Sequence, residues 1–452
     1  MPLLFAIALV FLAFTVGLIQ YHNSGVVVTS SGPTRGRLVT TRHGDRVLLF
    51  LDVPYGETTA GKGRFARPRP LERPPFTRPI WEDLNPSGSP CVQYRSDGTL
   101  IGSEDCLYMN VWAPVVQPMA KENRTIVVVV TGDSFQRGHS NSHGWAELAA
   151  AGNFVVAVPN HRQGVFGFLN AGAGRAVGNA AIEDILLALS WLKRNAREFD
   201  GDPKDMAALG LGSGAYLLSV VLMSPECNAF KRALLQGSYP TVPVTPNTPD
   251  RGRGYLAEMA RFLNCYQRGR RRAPFSEVRQ IVLGSDRAEA EAVFKRYAST
   301  LDDYKNASSV EAVFRMFLKR VVTATAEVDR KELPWALNDM KTAAELEDYL
   351  VRYWTICLPN VIADTAAARN GTVYRYVSTA SNLERLFQPA FDVAAIARFF
   401  KNGTVPPTGS GEPWPAYKEG APFILDAANA SGIAFNADAD CGDTGNLLHL
   451  FS

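Results

Sequence analysis

The sequence predicts an α/β protein with a mainly parallel central sheet, helices on both faces and a helical C-terminal superstructure. Short apolar runs rich in β-branched or aromatic residues alternate with stretches of helical periodicity, as in sheets whose strands are connected by helices. The 452 residues are 46% hydrophobic and 20% charged, as in ordinary globular proteins. No linker divides the chain, so we expect one domain over residues 25–452.

Five apolar runs are the predicted strands of the central sheet, because each is short and bounded by turn residues. They are Val47–Val53, Tyr108–Trp112, Ile126–Val130, Phe154–Val158 and Met206–Leu209. Helices are predicted at Ala180–Glu198 and Ala215–Met223.

The C-terminal half has a different pattern, mostly helical and polar from about Asn247 to Ala368. Predicted helices in this half are Tyr255–Leu263, Glu289–Tyr297, Ser309–Val321 and Phe391–Phe400. The tail returns to strand-like segments at Thr372–Val377 and Pro422–Leu425.

The N-terminal segment is uncharged and apolar over residues 2–19. Two interpretations remain open: residues 1–24 form a signal peptide cleaved after small residues such as Thr15 or Gly17, or residues 2–19 anchor the protein in a membrane. In the first case the protein is secreted. In the second it is held at the membrane through this segment alone.

Two further features predict an extracellular location. The six cysteines form an even set suited to pairing in an oxidising compartment. Five Asn-x-Ser/Thr sequons are predicted glycosylation sites: Asn123, Asn306, Asn370, Asn402 and Asn429.

The charge balance and motifs exclude some classes of partner. The net charge of +3 indicates no nucleic-acid partner, and no motif indicates a cofactor or a metal. The basic run Arg268–Arg272 is compatible with a solvated loop, a polyanion contact or a site for secretory proteases.

A glycine-rich turn follows the run Met206–Leu209 and precedes a predicted helix. It reads Gly210-Leu211-Gly212-Ser213-Gly214. The order strand, sharp turn, helix is where an α/β-hydrolase places its nucleophile. The turn therefore favours that fold.

Several ordered blocks carry a more specific resemblance. They are Val53-Pro54-Tyr55-Gly56, Ser103–Trp112, Asn160–Leu169, Ala188-Leu189-Ser190-Trp191 and Phe199-Asp200-Gly201-Asp202-Pro203. Together they resemble the type-B carboxylesterase/cholinesterase family over most of the mature chain. The resemblance implies ion pairs between Glu104 and Arg64 and between Arg162 and Asp184. If such a pair is buried, losing one partner would cost roughly 3–5 kcal/mol.

The resemblance also implies disulfides between Cys91 and Cys106 and between Cys357 and Cys441. Cys227 and Cys265 are then left as a third pair. Six cysteines allow 15 connectivities, so this order depends on the resemblance.

The catalytic machinery that the family uses is predicted to be absent. Gly212 stands at the nucleophile position. The side chain of the next residue, Ser213, is expected to point in a different direction. The family's oxyanion loop, His-Gly-Gly-Gly-Phe, corresponds here to Thr131-Gly132-Asp133-Ser134-Phe135. Side chains at two former glycines, one of them an acid, are expected to oppose an oxyanion.

The catalytic base and the choline-binding aromatic residue of the family also lack counterparts, and for the acid Glu327 is a candidate near the usual place. The six histidines are His22, His43, His139, His143, His161 and His449, and none lies in the loop that carries the family's catalytic histidine. Glu327 lacks the motif that surrounds the family's acid. In the loop between Cys91 and Cys106 the single aromatic residue is Tyr94.

The resemblance therefore implies a non-catalytic glycoprotein comparable to neuroligin-like, neurotactin-like and glutactin-like members. We expect it to bind an extracellular protein or an apolar small molecule. The alternative is an ester hydrolase with a residual or relocated site, for which Ser140, Ser142, His139 and His143 form one candidate cluster.

Overall fold

The computed structural model describes most of the first half of the chain and short parts of the second. The described residues are 25–71, 89–95, 98–115, 123–133, 135–138, 144–172, 176–223, 229–236, 253, 375–377, 393–403, 405, 413, 424–426 and 431–433. The predicted helices between residues 255 and 321 lie outside this part.

A seven-stranded sheet organises the described part. Its strands are β3 (Arg37–Thr40), β4 (Arg46–Pro54), β7 (Tyr108–Pro114), β8 (Arg124–Gly132), β9 (Val155–Pro159), β12 (Gly201–Gly212) and β13 (Arg232–Gln236). Their spatial order is β13-β12-β8-β9-β7-β4-β3. The pairings among β13, β12, β8 and β9 are parallel, and those among β9, β7, β4 and β3 are antiparallel.

The sheet is thus mixed, where a mainly parallel sheet was predicted. A short turn at Thr41–Asp45 joins β3 to β4, and such a connection allows only antiparallel pairing. The parallel half instead alternates with helices, as expected for strands that need long crossovers.

The remaining elements surround this sheet or form small additions. The helices are α1 (Trp145–Gly152), α2 (Gly164–Phe168), α3 (Ala180–Asn195), α4 (Ser213–Met223) and α5 (Val393–Asn402). Turns of 3₁₀ helix occupy Gly61–Gly63 and Ala196–Phe199. Small sheets pair β1 (Val26–Thr29) with β2 (Gly32–Arg35), β5 (Gln93–Tyr94) with β6 (Leu100–Ile101), β10 (Asn170–Gly172) with β11 (Ala176–Val177), and β14 (Arg375–Val377) with β15 (Ile424–Asp426) and β16 (Ser431–Ile433).

Two hydrophobic cores lie on opposite faces of the sheet, as the alternation along β8 shows. Ile126, Val128 and Val130 belong to the core that includes residues of α3 and α4. Val127 and Val129 belong to the core that includes α1 and α5. Helices on both faces explain why the central strands read as unbroken apolar runs rather than alternating ones.

The predicted strands and helices of the first half are confirmed, each with slightly longer or shifted ends. The helix predicted at Ala180–Glu198 ends at Asn195 and continues as 3₁₀ helix to Phe199. The helix predicted at Phe391–Phe400 is α5. Among the described residues, no helix has the length and apolarity needed to cross a bilayer.

The predicted links between loops and strands are present where the structure describes them. Cys91 and Cys106 form a disulfide with a Cα–Cα distance of 4.9 Å. The other four cysteines, Cys227, Cys265, Cys357 and Cys441, lie outside the described residues. Asn123 and Asn402 are exposed, as a glycosylated asparagine must be. The sequons at Asn306, Asn370 and Asn429 also lie outside the described part.

The two predicted ion pairs form but differ in burial. Arg162 and Asp184 are 3% and 0% exposed, and Nη2 of Arg162 lies 2.7 Å from Oδ1 of Asp184. Arg64 is 45% exposed and its Nε donates to Oε2 of Glu104 at 2.6 Å. The cost of roughly 3–5 kcal/mol for removing one partner of a buried ion pair therefore applies to Arg162–Asp184 and not to Arg64–Glu104.

Candidate functional site

The glycine-rich turn joins β12 to α4 as the sequence predicts. Gly212 is the last residue of β12 and Ser213 is the first residue of α4. The φ angle of Gly212 is 57°, in the left-handed region that side chains disfavour. The turn therefore has the sharp strand-to-helix geometry of a nucleophile elbow, with a residue at its tip that has no side chain.

The backbone of β8 occupies the space that a side chain on Gly212 would need. Parallel pairing runs through to Gly212 opposite Gly132, the last residues of both strands. A Cβ atom built on Gly212 would stand 2.1 Å from the carbonyl oxygen of Gly132. Atoms do not approach so closely, so the nucleophile position is filled by the neighbouring strand.

Ser213 also packs closely against the end of β8. A Cβ atom on Gly132 would stand 2.3 Å from Oγ of Ser213 and 3.1 Å from the backbone nitrogen of Gly214. Ser213 is 7% exposed, and Oγ has no hydrogen-bond partner among the residues that the structure describes. Activation of a serine as a nucleophile needs a base in contact, and no described residue supplies one to Ser213.

The segment that follows β8 begins within the predicted oxyanion segment Thr131–Phe135, and we call Asp133–Gly138 the β8 loop. Its backbone amides donate within the protein: Asp133 to Arg137 O at 2.7 Å, Gln136 and Arg137 to Asp133 O at 3.0 and 3.2 Å, and Gly138 to Gln93 Oε1 at 3.0 Å. An oxyanion hole needs amides that are free to donate to the substrate. All four are already engaged, and the one that lies in the segment corresponding to the family's oxyanion loop is the amide of Asp133.

Two contacts hold the β8 loop in place. The side-chain amide of Gln93 accepts from the Gly138 nitrogen and donates to its carbonyl, each at 3.0 Å. The ring of Phe135 packs edge-to-face on Phe168 and Tyr216, with centroid distances of 5.4 and 5.1 Å. Gln93 lies within the Cys91–Cys106 loop, so the disulfide, the β8 loop and α4 form one packed unit.

Asp133, the acidic residue of the β8 loop, forms an ion pair with Arg137. Oδ2 of Asp133 lies 2.6 Å from Nη2 of Arg137, and both side chains are partly exposed. A carboxylate at this position is expected to repel an oxyanion. Ser134, its neighbour in the predicted oxyanion segment, lies outside the described residues.

Two of the six histidines belong to the described part of the chain. His43 is exposed in the turn between β3 and β4. His161 is 2% exposed and its Nε2 lies 2.8 Å from Nε2 of Gln163. That amide nitrogen also donates to the His161 carbonyl at 3.1 Å, so the imidazole must be neutral and accept through Nε2.

The His161 environment predicts a pH dependence of stability. Burial lowers the pKa of His161 to about 4, while a hydrogen bond to the Pro159 backbone raises it by less. An unfolded histidine titrates near 6.5, so the unfolded state binds more protons between these values and stability falls as pH drops through this window. We expect a loss of about 3 kcal/mol in the free energy of unfolding between pH 6.5 and 4 from this group.

Urea unfolding at a series of pH values measures this effect. The variant His161→Gln has no imidazole to titrate and should show a correspondingly shallower decline between pH 6.5 and 4. Equal declines in the two proteins would show that His161 does not contribute.

The remaining predicted site residues lie outside the described part. They are Ser140, Ser142, His139, His143, Glu327 and His449. The contacts made by Gln93, Gln163 and Arg137 were not predicted from the sequence. For Gln93 the sequence does offer one indication, since it lies between the two paired cysteines. A loop closed by a disulfide can hold a side chain in a fixed position against its neighbours.

Comparisons with known proteins agree with this architecture. The chain is 32% identical over 253 residues to an acetylcholinesterase of Danio rerio. The aligned region is 53% of this chain and 39% of that protein. It is 31% identical over 254 residues to a cholinesterase of Mus musculus, and 32% identical over 229 residues to carboxylesterase 3 of Homo sapiens. The matched region covers about two fifths of these relatives: 39%, 41% and 40%.

The structural comparison supports the fold. The crystal structure of carboxylesterase EST55 from Geobacillus stearothermophilus aligns with a TM-score of 0.66 at 21% identity, over 95% of this chain and 100% of that one. This likeness shows the α/β-hydrolase fold with a mixed central sheet. The family model described as Carboxylesterase family matches residues 23–377, which is most of the sequence. The chain therefore belongs to the carboxylesterase family.

Proposed function

We propose that this protein is a catalytically inactive carboxylesterase-family member that acts outside the cell as a binding protein for another extracellular protein. The observation that carries the proposal is the close approach of the Gly132 carbonyl oxygen to Gly212, where an added Cβ atom would stand only 2.1 Å from that oxygen. A nucleophile at the elbow needs both a side chain and the space for it, and neither is present at this position.

The state of the β8 loop supports the same proposal independently. Ester hydrolysis builds negative charge on the carbonyl oxygen, and removing one donor to such an oxyanion costs about 2.7–4 kcal/mol in a serine protease. Four amides of the loop are engaged within the protein, and Asp133 adds a negative charge beside them.

The uncharged N-terminal segment, the even cysteine count and the five sequons support an extracellular role, with the protein secreted or held through residues 2–19. An apolar small molecule is the alternative ligand. A hydrolase with a residual or relocated site is the alternative function.

Labelling with a fluorophosphonate ester probe, together with turnover of p-nitrophenyl esters, tests the inactivity. The sample is the glycosylated protein secreted from a eukaryotic host, with an active carboxylesterase as the positive control. We expect no covalent label and no turnover above buffer, since Gly212 has no side chain and Ser213 contacts no base in the described part of the chain. Stoichiometric labelling would contradict the proposal, and the labelled peptide would identify Ser213, Ser140 or another serine as the nucleophile.

The same preparation tests the binding function in a screen against extracellular proteins. Saturable binding to a protein partner is expected. A protein that binds none of them, but melts at a higher temperature with hydrophobic esters present, would favour the small-molecule alternative.

A further inference from the structure

We propose that the outer edge of strand β3 binds an extended acidic segment of an extracellular partner protein, which adds to the central sheet as a further strand. We call Arg37–Thr40 the β3 edge. Among the described strands, β3 is the last of the seven-stranded sheet, with β4 on one side and no strand on the other. The inference rests on the proposed function, because it assigns a surface to the protein partner proposed there.

The hydrogen bonds of β4 show which backbone groups of β3 face outward. The Arg46 carbonyl accepts at 3.0 Å from the residue that follows β7, so the backbone groups of Arg46 point towards β7. Residues of an antiparallel strand bond alternately to one side and to the other, so Val47 bonds to its partner Val39 in β3. The backbone groups of Leu38 and Thr40, on either side of Val39, therefore point away from β4.

The contacts at the two ends of β3 agree with this alternation. Just before the strand, the Gly36 nitrogen donates to the carbonyl of Gly25 at 2.7 Å rather than to β4. Just after it, the Thr41 nitrogen donates to the carbonyl of Asp45, in the turn into β4, at 2.9 Å. Odd-numbered residues of this stretch thus bond towards β4, and even-numbered residues face away from it.

The outward backbone groups of β3 are open to a partner. Those of Leu38 and Thr40 form no hydrogen bond with any described residue, and both residues are exposed, Leu38 by 47%. The β3 edge therefore presents two N–H donors and two C=O acceptors at the spacing of a β-ladder, with an apolar side chain beside them. A peptide that adds to such an edge gains affinity from main-chain hydrogen bonds and specificity from its alternate side chains.

Arginines on both faces of the sheet select the charge of that peptide. Arg37 lies on the face of Val39, which packs against the core that includes α1. Arg46 pairs with Thr40, so its side chain lies on the opposite face. Both arginines are exposed, and neither forms an ion pair with a residue in the described part of the chain. Two adjacent acidic residues in an added strand point to opposite faces, so they match this arrangement.

The acids near this edge have other contacts. Glu147 lies 3.7 Å from Arg42. The Asp45 carboxylate accepts from the Thr41 hydroxyl at 3.2 Å. An incoming acidic strand therefore meets one unpaired arginine on each face.

Two competing explanations of the β3 edge make different predictions. Arginines on an edge strand can serve only to keep other strands away, and in that case Arg37→Gln would bind strands more tightly. A second copy of this chain is disfavoured as the occupant, because pairing two β3 edges brings like charges together.

The probe is a capped, fluorescently labelled peptide Thr-Val-Glu-Glu-Val-Thr, whose binding to the secreted full-length protein is measured by fluorescence anisotropy. Its adjacent acids point to opposite faces, and its β-branched residues favour an extended chain. We expect saturable binding of this peptide. The peptide with lysines in place of both glutamates should bind at least about tenfold more weakly, since two favourable pairs become repulsive.

Three variants locate the binding. Thr40→Pro removes one outward N–H but no bond to β4, so it should bind the acidic peptide about fivefold more weakly while urea unfolding stays close to that of the wild-type protein. Arg37→Gln should bind it about threefold more weakly. The matched control Arg197→Gln removes an exposed arginine after the end of α3 and should leave the affinity unchanged.

Four results would overturn the proposal: no binding of the acidic peptide by the wild-type protein, undiminished binding by Thr40→Pro, tighter binding by Arg37→Gln, or a wild-type dimer that Thr40→Pro converts to a monomer. The last result would assign the edge to a second copy. A partner from the extracellular screen that binds Thr40→Pro as tightly as the wild-type protein would overturn this inference and leave the proposed function standing. Peptide binding without any partner in that screen would support the inference and count against the proposed function.

Discussion

Replacing Arg162 by methionine is expected to lower the free energy of unfolding by about 3–5 kcal/mol, because it leaves the Asp184 carboxylate buried without a partner. Asp184 is fully buried and accepts three hydrogen bonds from Arg162: from Nε at 2.8 Å, from Nη2 at 2.7 Å and from the backbone nitrogen at 3.0 Å. The variant removes the two side-chain bonds.

The loss should extend beyond the ion pair. Nη1 of Arg162 also donates to the Ala66 carbonyl at 2.7 Å, and Nη2 to the Ala180 carbonyl at 3.4 Å. Arg162 therefore connects the end of β9, the loop after β4 and the start of α3. Burial raises the pKa of Asp184 even though the hydrogen bonds from Arg162 lower it. Removing the arginine should raise that pKa further.

Urea unfolding of two comparison variants separates the buried charge from other effects. Arg64→Met breaks the half-exposed pair with Glu104 and should cost about 1 kcal/mol or less. The double variant Arg162→Met/Asp184→Leu removes both charges and should recover much of the stability lost in Arg162→Met. If Arg162→Met were no less stable than Arg64→Met, the burial of this pair would have no energetic consequence.

The parts of the fold that the sequence predicted are those whose pattern is set by burial. Ile126–Val130 reads as a strand because apolar residues are needed on both faces, against α3 and α4 on one side and α1 and α5 on the other. The edge strand β3 was not predicted, since Arg37, Leu38 and Thr40 are all exposed and give no apolar alternation. Because β3 was not identified, the sequence predicted fewer antiparallel strands than the sheet contains.

The candidate site was predictable in its residues but not in its geometry. Gly212 and Gly132 could be identified by aligning motifs, yet their contact depends on the register of two strands that are far apart in sequence. The engagement of the Gly138 amide depends on the side chain of Gln93 in a separate loop. Such contacts arise from tertiary packing, which a local sequence pattern does not encode.

Reintroducing the missing nucleophile is therefore expected to fail. We expect Gly212→Ser to hydrolyse no p-nitrophenyl ester and to lower the free energy of unfolding by roughly 2–5 kcal/mol. About 1–2 kcal/mol of this arises from placing a side chain at a φ of 57°, and about 1–3 kcal/mol from the contact with the Gly132 carbonyl.

A matched glycine separates these two costs. Gly61 has the same φ of 57°, but a Cβ atom there would meet nothing within 4 Å. Gly61→Ser should therefore show the conformational cost alone, about 1–2 kcal/mol. The difference between the two variants measures how firmly β8 is held against the elbow. If Gly212→Ser were as stable as Gly61→Ser, the β8 strand would yield to the new side chain. Turnover of the ester by Gly212→Ser would show further that the β8 loop can still present donors to an oxyanion, so that the proposed inactivity would reduce to the loss of one residue.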